Sequence, residues 1–211
     1  NYFYASFMAN SGKIKEAKQI VNSALKSYPR NLKLNQFKED INKNKNISIF
    51  NCKNEAHVSA EILYVTANAL SSQSIYPLSN FYLNLAKFLN EDFHSYDTLL
   101  AENFYKIENF KEAKKIYNSL NKKGEAYSWY SAKQLSRIYL QEEEQEKAIK
   151  TLSDTYDNLV NKEIYETFDY AEFLKNNERF EESIKFYSEI ISKVKNNHPL
   201  YAEATDGRGV A

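Results

Sequence analysis

Three stretches of this chain repeat one helical phrase: "KIKEAKQIVNSAL" from Lys13, "NFKEAKKIYNSL" from Asn109 and "RFEESIKFYSEII" from Arg179. Each carries an aromatic or aliphatic residue, two polar residues, a small residue, and another aromatic or aliphatic residue four places later. The small residues are Ala17, Ala113 and Ser183, and Ser79 in "YPLSNFYLNLAKFL" and Ala148 in "QEKAIKTLSDTY" join the series. From Ser79 onward the separations are 34, 35 and 35 residues. A period of this size means that each copy is one supersecondary unit, able to bury its apolar face only against a neighbour. Upstream of each copy a second pattern keeps the same phase: Leu100, Ala101 and Phe104; Leu135, Ser136 and Tyr139; Tyr170, Ala171 and Leu174. Small side chains suit places where two helices cross closely, because a larger one would overpack the contact.

Two helices per period of about 34 residues, with a large residue, a small one beside it and an aromatic three further on, resemble the tetratricopeptide repeat family. The resemblance covers most of the chain. It implies an all-α, right-handed α-solenoid of stacked antiparallel helix hairpins, a single array over residues 1–211. The expected divisions are a repeat at 1–30, a half repeat with an irregular connection at 31–59, repeats at 60–93, 94–127, 128–162 and 163–197, and the first helix of a further repeat at 198–211.

Departures from the pattern carry expectations too. Ala17 and Ser79 are 62 residues apart, short of two periods. Between them lie the helix-like "NLKLNQFKEDINK" and then "NKNISIFNCKNE", rich in Asn and without an apolar stripe, which reads as an irregular segment over 44–55. Pro29 closes a helix; Pro77 and Pro199 each suit the first turn of one. Gly12 and Gly124 fall at helix connections. In repeat phase, Gly209 takes the small-residue place of a first helix.

Composition bears on class. The 4 Gly and 3 Pro are too few for a turn-rich β architecture, and 17 Tyr with 13 Phe supply more apolar surface than a disordered chain has. Basic and acidic side chains number 28 each, giving no net charge and no basic footprint for nucleic acid. No apolar run is long enough for membrane insertion. A single cysteine, Cys52, leaves the redox compartment open, so a soluble protein of cytoplasm or periplasm fits equally. The bias toward Asn, Lys, Ile and Tyr points to an AT-rich bacterial genome. Beginning at Asn1 and stopping at "GRGVA", the sequence reads as part of a longer chain or a processed product.

Candidate chemistry is sparse. His57, His94 and His198 are far apart, each near a helix start, and Cys52 is the lone thiol, so no metal site is expected. The proximity of His57 to Cys52 lacks the orienting group and oxyanion site that nucleophilic catalysis needs. "DGRG" at 206–209 lacks the flanking strand and following Lys-Ser/Thr of a phosphate loop. "QEEEQEK" at 141–147 is a turn and the acidic first turn of a helix. Neither catalysis nor a cofactor is expected.

The resemblance implies that first helices line a concave groove. Phase assigns to it Tyr64, Asn68 and Ser71; Thr98, Glu102 and Tyr105; Tyr130, Lys133 and Arg137; and Tyr165, Phe168 and Glu172. Tyrosines between basic and acidic groups suit a protein or peptide partner, since Tyr offers contact area at low rotamer cost and Arg pairs carboxylates in a fork. Repeats that clamp a chaperone's terminal carboxylate use Lys and Asn at set places. Asn68 matches one, but Tyr64, Leu99, Tyr130 and Gln134 stand at the others, which disfavours that ligand. The expected function is a non-enzymatic scaffold that holds a partner peptide or helix. The alternative is an interaction arm of a larger enzyme whose catalytic domain lies outside this chain.

Overall fold

The computed structural model describes residues 1–45, 50 and 53–211, so the expectations for Cys52 and for most of 44–55 lie outside the described residues. Among the described residues there are helices and connections and no strand. The helices are α1 (Tyr2–Asn10), α2 (Ile14–Ser27), α3 (Leu32–Asn42), α4 (Glu55–Ser72), α5 (Tyr76–Leu89), α6 (Ser95–Lys106), α7 (Phe110–Leu120), α8 (Glu125–Gln141), α9 (Gln145–Asn158), α10 (Ile164–Asn176), α11 (Phe180–Lys193) and α12 (Pro199–Val210). The chain forms two compact units, Asn1–Ser131 and Ala132–Ala211, and the division falls within α8.

Hairpins arise because every first-to-second-helix turn closes in the same way. Gly12, Ser74, Glu108, Glu143 and Glu178 all take left-handed φ values between 59° and 77°. The following N–H reaches back five residues in each case: Lys13 to Met8, Ile75 to Leu70, Asn109 to Phe104, Glu144 to Tyr139 and Arg179 to Leu174, at 2.8–2.9 Å. This is the Schellman closure, which satisfies the last carbonyls of one helix while reversing the chain. α3 ends likewise, with Asn44 left-handed and the Lys45 N–H on the Asp40 carbonyl. Helix starts are capped by side chains at Asn31, Asn54, Asn109 and His198, and by a reciprocal Glu163–Glu166 box.

The small residues sit where the hairpin helices touch. Ala17, Ser79, Ala113, Ala148 and Ser183 are fully buried, as are Ala67, Ala101, Ser136 and Ala171. Two serines bond the facing backbone: Ser79 Oγ donates to the Ala67 carbonyl at 2.8 Å, and Ser136 Oγ to the Ala148 carbonyl at 2.9 Å. Gly209, by contrast, is exposed with open space around it. Ala204 and Gly207 are the buried small residues of α12, and a Cβ on Gly207 would lie 2.5 Å from the Tyr187 ring. One period of 35 residues after Ala171 falls on position 206 rather than 209, and the small residues on either side of it, Ala204 and Gly207, take the packing role in place of Gly209.

In the first unit, α1–α3 enclose a core of Ala5, Ala9, Ala17, Val21, Leu34, Phe37 and Ile41. α4–α6 build a second core around Ala60, Ala67, Leu83, Ala86, Phe93, Tyr96 and Leu100, and Tyr2 packs against both. In the second unit, Phe168, Ala171, Tyr187, Ile190, Leu200 and Ala204 form a core over α10–α12.

Candidate functional site

In the first unit, the candidate residues divide between a hairpin seam and an open side. Ser71 belongs to the seam: its Oγ donates to Asn103 Oδ1 at 2.6 Å, while Asn103 Nδ2 donates to Ser79 Oγ and Asn80 Oδ1, both at 2.8 Å. Asn103 is fully buried, so this network ties α4, α5 and α6 together. Tyr64 is half-buried against the Phe93 and Tyr96 rings, 6.3 and 5.3 Å away between centroids. Burial first, then the charges of Glu61 and Glu102, push its phenol up to about 12. Thr98 turns its hydroxyl onto the Ser95 carbonyl of its own helix at 2.8 Å.

On the open side, Glu102 of α6 and Tyr130 of α8 meet directly. The Tyr130 hydroxyl donates to Glu102 Oε1 at 2.6 Å. Burial, with Tyr117 and Glu102 nearby, holds the Tyr130 phenol well above its ordinary value, so it remains a donor. Tyr105 packs on Phe110 at 5.7 Å and Asn68 is exposed.

In the second unit, Lys133 of α8 reaches Asp169 of α10, with Nζ 2.6 Å from Oδ2. Arg137, one turn beyond Lys133, is exposed. Tyr165 and Glu172 flank Asp169 at i−4 and i+3, on the same side of α10. Tyr165 lies 6.0 Å from the His198 ring, and Glu172 accepts from Lys175 at 2.8 Å and from the Tyr187 hydroxyl. Phe168 does not face an open groove: it is 8% exposed and packs with Tyr187, Leu200 and Ala204. The reason is that α12 covers α10 there, and an apolar ring at that seam gains more from burial than from solvent contact.

Sequence reasoning missed Asp169, although a carboxylate 36 residues after Lys133, close to one period on, was a readable signal. It also missed a junction within the first unit that carries no sequence signal. The Lys33 ammonium sits 3.9 Å from the centroid of Phe93, 4.7 Å from that of Tyr2 and 5.2 Å from that of Phe3. Burial lowers its pKa to about 8, against the charge of Glu61, which acts to raise it. At the far end of α3, Lys43 pairs with Glu125 at 2.6 Å and Glu39 accepts the Glu125 N–H at 2.8 Å. Gly124 permits this contact, since any Cβ there would lie 2.0 Å from the Gln36 amide. A cavity of about 200 Å³ remains beneath, bordered by Tyr2, Lys33, Asp40, His94 and Tyr127.

No group of three or more His, Cys, Asp or Glu among the described residues could hold a metal ion. His198 caps α12 through Nδ1, and His94 Nδ1 lies 3.8 Å from Asp97. No helix among the described residues is long and apolar enough to cross a membrane.

No protein family and no curated protein matches the chain. Among solved structures, the crystal structure of YrrB, "a TPR protein with an unusual peptide-binding site", is similar over 70% of this chain and 73% of that one, with 18% sequence identity and a TM-score of 0.43.

Proposed function

We propose that the protein is a non-enzymatic interaction scaffold that holds a peptide or helix of a protein partner against its first helices. The observation that carries this reading is the Lys133–Asp169 contact between α8 and α10. It sets a row of Lys133 and Arg137 beside a row of Tyr165, Asp169 and Glu172, because residues three and four apart share one side of a helix. Side-by-side rows of cations, carboxylates and aromatic rings can pair a peptide's charges while its side chains rest on tyrosine. Glu102 and Tyr130 make the corresponding contact in the first unit.

Panning a random peptide library against the intact chain tests the reading. Enriched peptides should lose at least about ten-fold in affinity to Lys133→Ala/Arg137→Ala, with helicity unchanged. Enrichment of no sequence, or equal binding to both proteins, would contradict it.

A further inference from the structure

The outer face of α5 breaks the rule that the later second helices of the array follow. Counting from the buried small residue, α7 places Glu112, Lys115 and Ser119 at −1, +2 and +6, and Lys122 in the turn after it stands at +9. α9 has Lys147, Lys150, Asp154 and Asp157 there, and α11 has Glu182, Lys185, Glu189 and Ser192. The same four places on α5 hold Leu78, Phe81, Leu85 and Phe88, which are 43, 57, 39 and 79% exposed. One helix has exchanged a charged surface for an apolar one, and has kept it in solvent.

The spacing of these four residues, 3–4–3, is that of the a and d positions of two heptads. Such a seam is completed by another helix with the same pattern. Which helix it accepts is set by the e and g positions beside it, where charges select or reject a partner. Here those positions are Pro77, Tyr82, Asn84 and Leu89, none of them charged. An identical helix therefore meets no like-charge repulsion, and the chain's zero net charge adds none at long range. Antiparallel pairing about a two-fold axis would set Leu78 against Phe88 of a second copy and Phe81 against Leu85, a large ring facing a smaller side chain each time.

We propose that the outer face of α5 is a self-association surface, on which a second copy of this chain docks its own α5 antiparallel. A helix of 14 residues is about 21 Å long and about 10 Å wide, a footprint well below the roughly 800 Å² per partner of a standard interface. The dimer is accordingly weak and concentration-dependent.

Sedimentation of the intact chain between about 1 and 500 µM tests this, with Phe81→Lys and Leu85→Glu as variants. Both place at α5 what the other repeats already carry, as at Lys115 and Glu189, so helicity should be retained. The parent should dimerise as concentration rises, and each variant alone should associate at least ten-fold more weakly. An equimolar mixture of the two should dimerise again, because the ammonium introduced on one copy would face the carboxylate introduced on the other across the seam. A parent that stays monomeric throughout overturns the proposal, as do variants that associate like the parent or a mixture that fails to recover.

Discussion

Glu108, Glu143 and Glu178 hold φ values of 59°, 62° and 63°, a conformation that costs an L-residue about 1–2 kcal/mol and glycine almost nothing. Glycine loses some of that advantage through its greater freedom when unfolded. Glu143→Gly is expected to raise the unfolding free energy by about 0.5–1 kcal/mol in urea titration, and a lower midpoint would contradict the turn geometry. The buried serines make a sharper contrast. Ser79 Oγ donates to Ala67 and accepts from Asn103, whereas Ser183 Oγ is buried without a hydrogen-bond partner among the described residues. Ser79→Ala should cost about 1–3 kcal/mol, and Ser183→Ala should be neutral or stabilising; equal effects would mean that the two hydroxyls have equal surroundings. The places of Ser79 and Ser183 were legible because small size at a fixed period has one cause, the helix crossing. The left-handed glutamates were not, since Glu has no preference for that conformation and the tertiary hairpin imposes it. Phe168 misled for a related reason: in a chain with 17 Tyr and 13 Phe, ring chemistry alone does not separate a groove from a seam.

At the scale of helices, the close crossing of α6 and α7 rests on Ala101 and Ala113, both fully buried. Ala113→Glu puts a carboxylate into that contact and is expected to destabilise the protein by a few kcal/mol, read as a shift in thermal midpoint. A midpoint equal to the parent's would undo the repeat phase. The junction of α3 with the α5–α6 turn makes a pH prediction. Lys33 has an ordinary value of 10.5 and a folded value of about 8, so between those limits the unfolded chain binds more protons. Stability should therefore rise as pH increases from about 8 to about 10, and Lys33→Met should flatten the rise. Above that range Tyr2 and Tyr64, both raised to about 12 chiefly by burial, reverse the slope, because the unfolded phenols ionise first. A parent whose midpoint falls steadily from pH 8 would contradict the burial of a charged Lys33. No reading of the sequence could have found this junction: Lys33 and Phe93 are 60 residues apart and belong to no shared period. The helices themselves were legible because their caps, Pro77, Pro199 and the breaks at Gly12 and Gly124 act over a single turn of chain.

For the whole molecule, first and second helices differ in the side chains they present. First helices touch one another through polar side chains, as in Tyr130–Glu102 and Lys133–Asp169, while α7, α9 and α11 turn charged residues outward and α5 does not. The first set is the surface proposed above for a partner, and the α5 stripe the one proposed for a second copy of the chain. The period made the two classes of helix readable from the sequence; the pairing of particular side chains required the helices to be brought side by side. Amide chemical-shift changes in the 15N-labelled protein, on addition of a peptide enriched by panning, would map where that peptide lies. The changes are expected to cluster on α8 and α10 around Lys133, Arg137, Tyr165 and Glu172, with α9 and α11 unaffected. Changes confined to those second helices, or none at saturating peptide, would contradict recognition through the first helices.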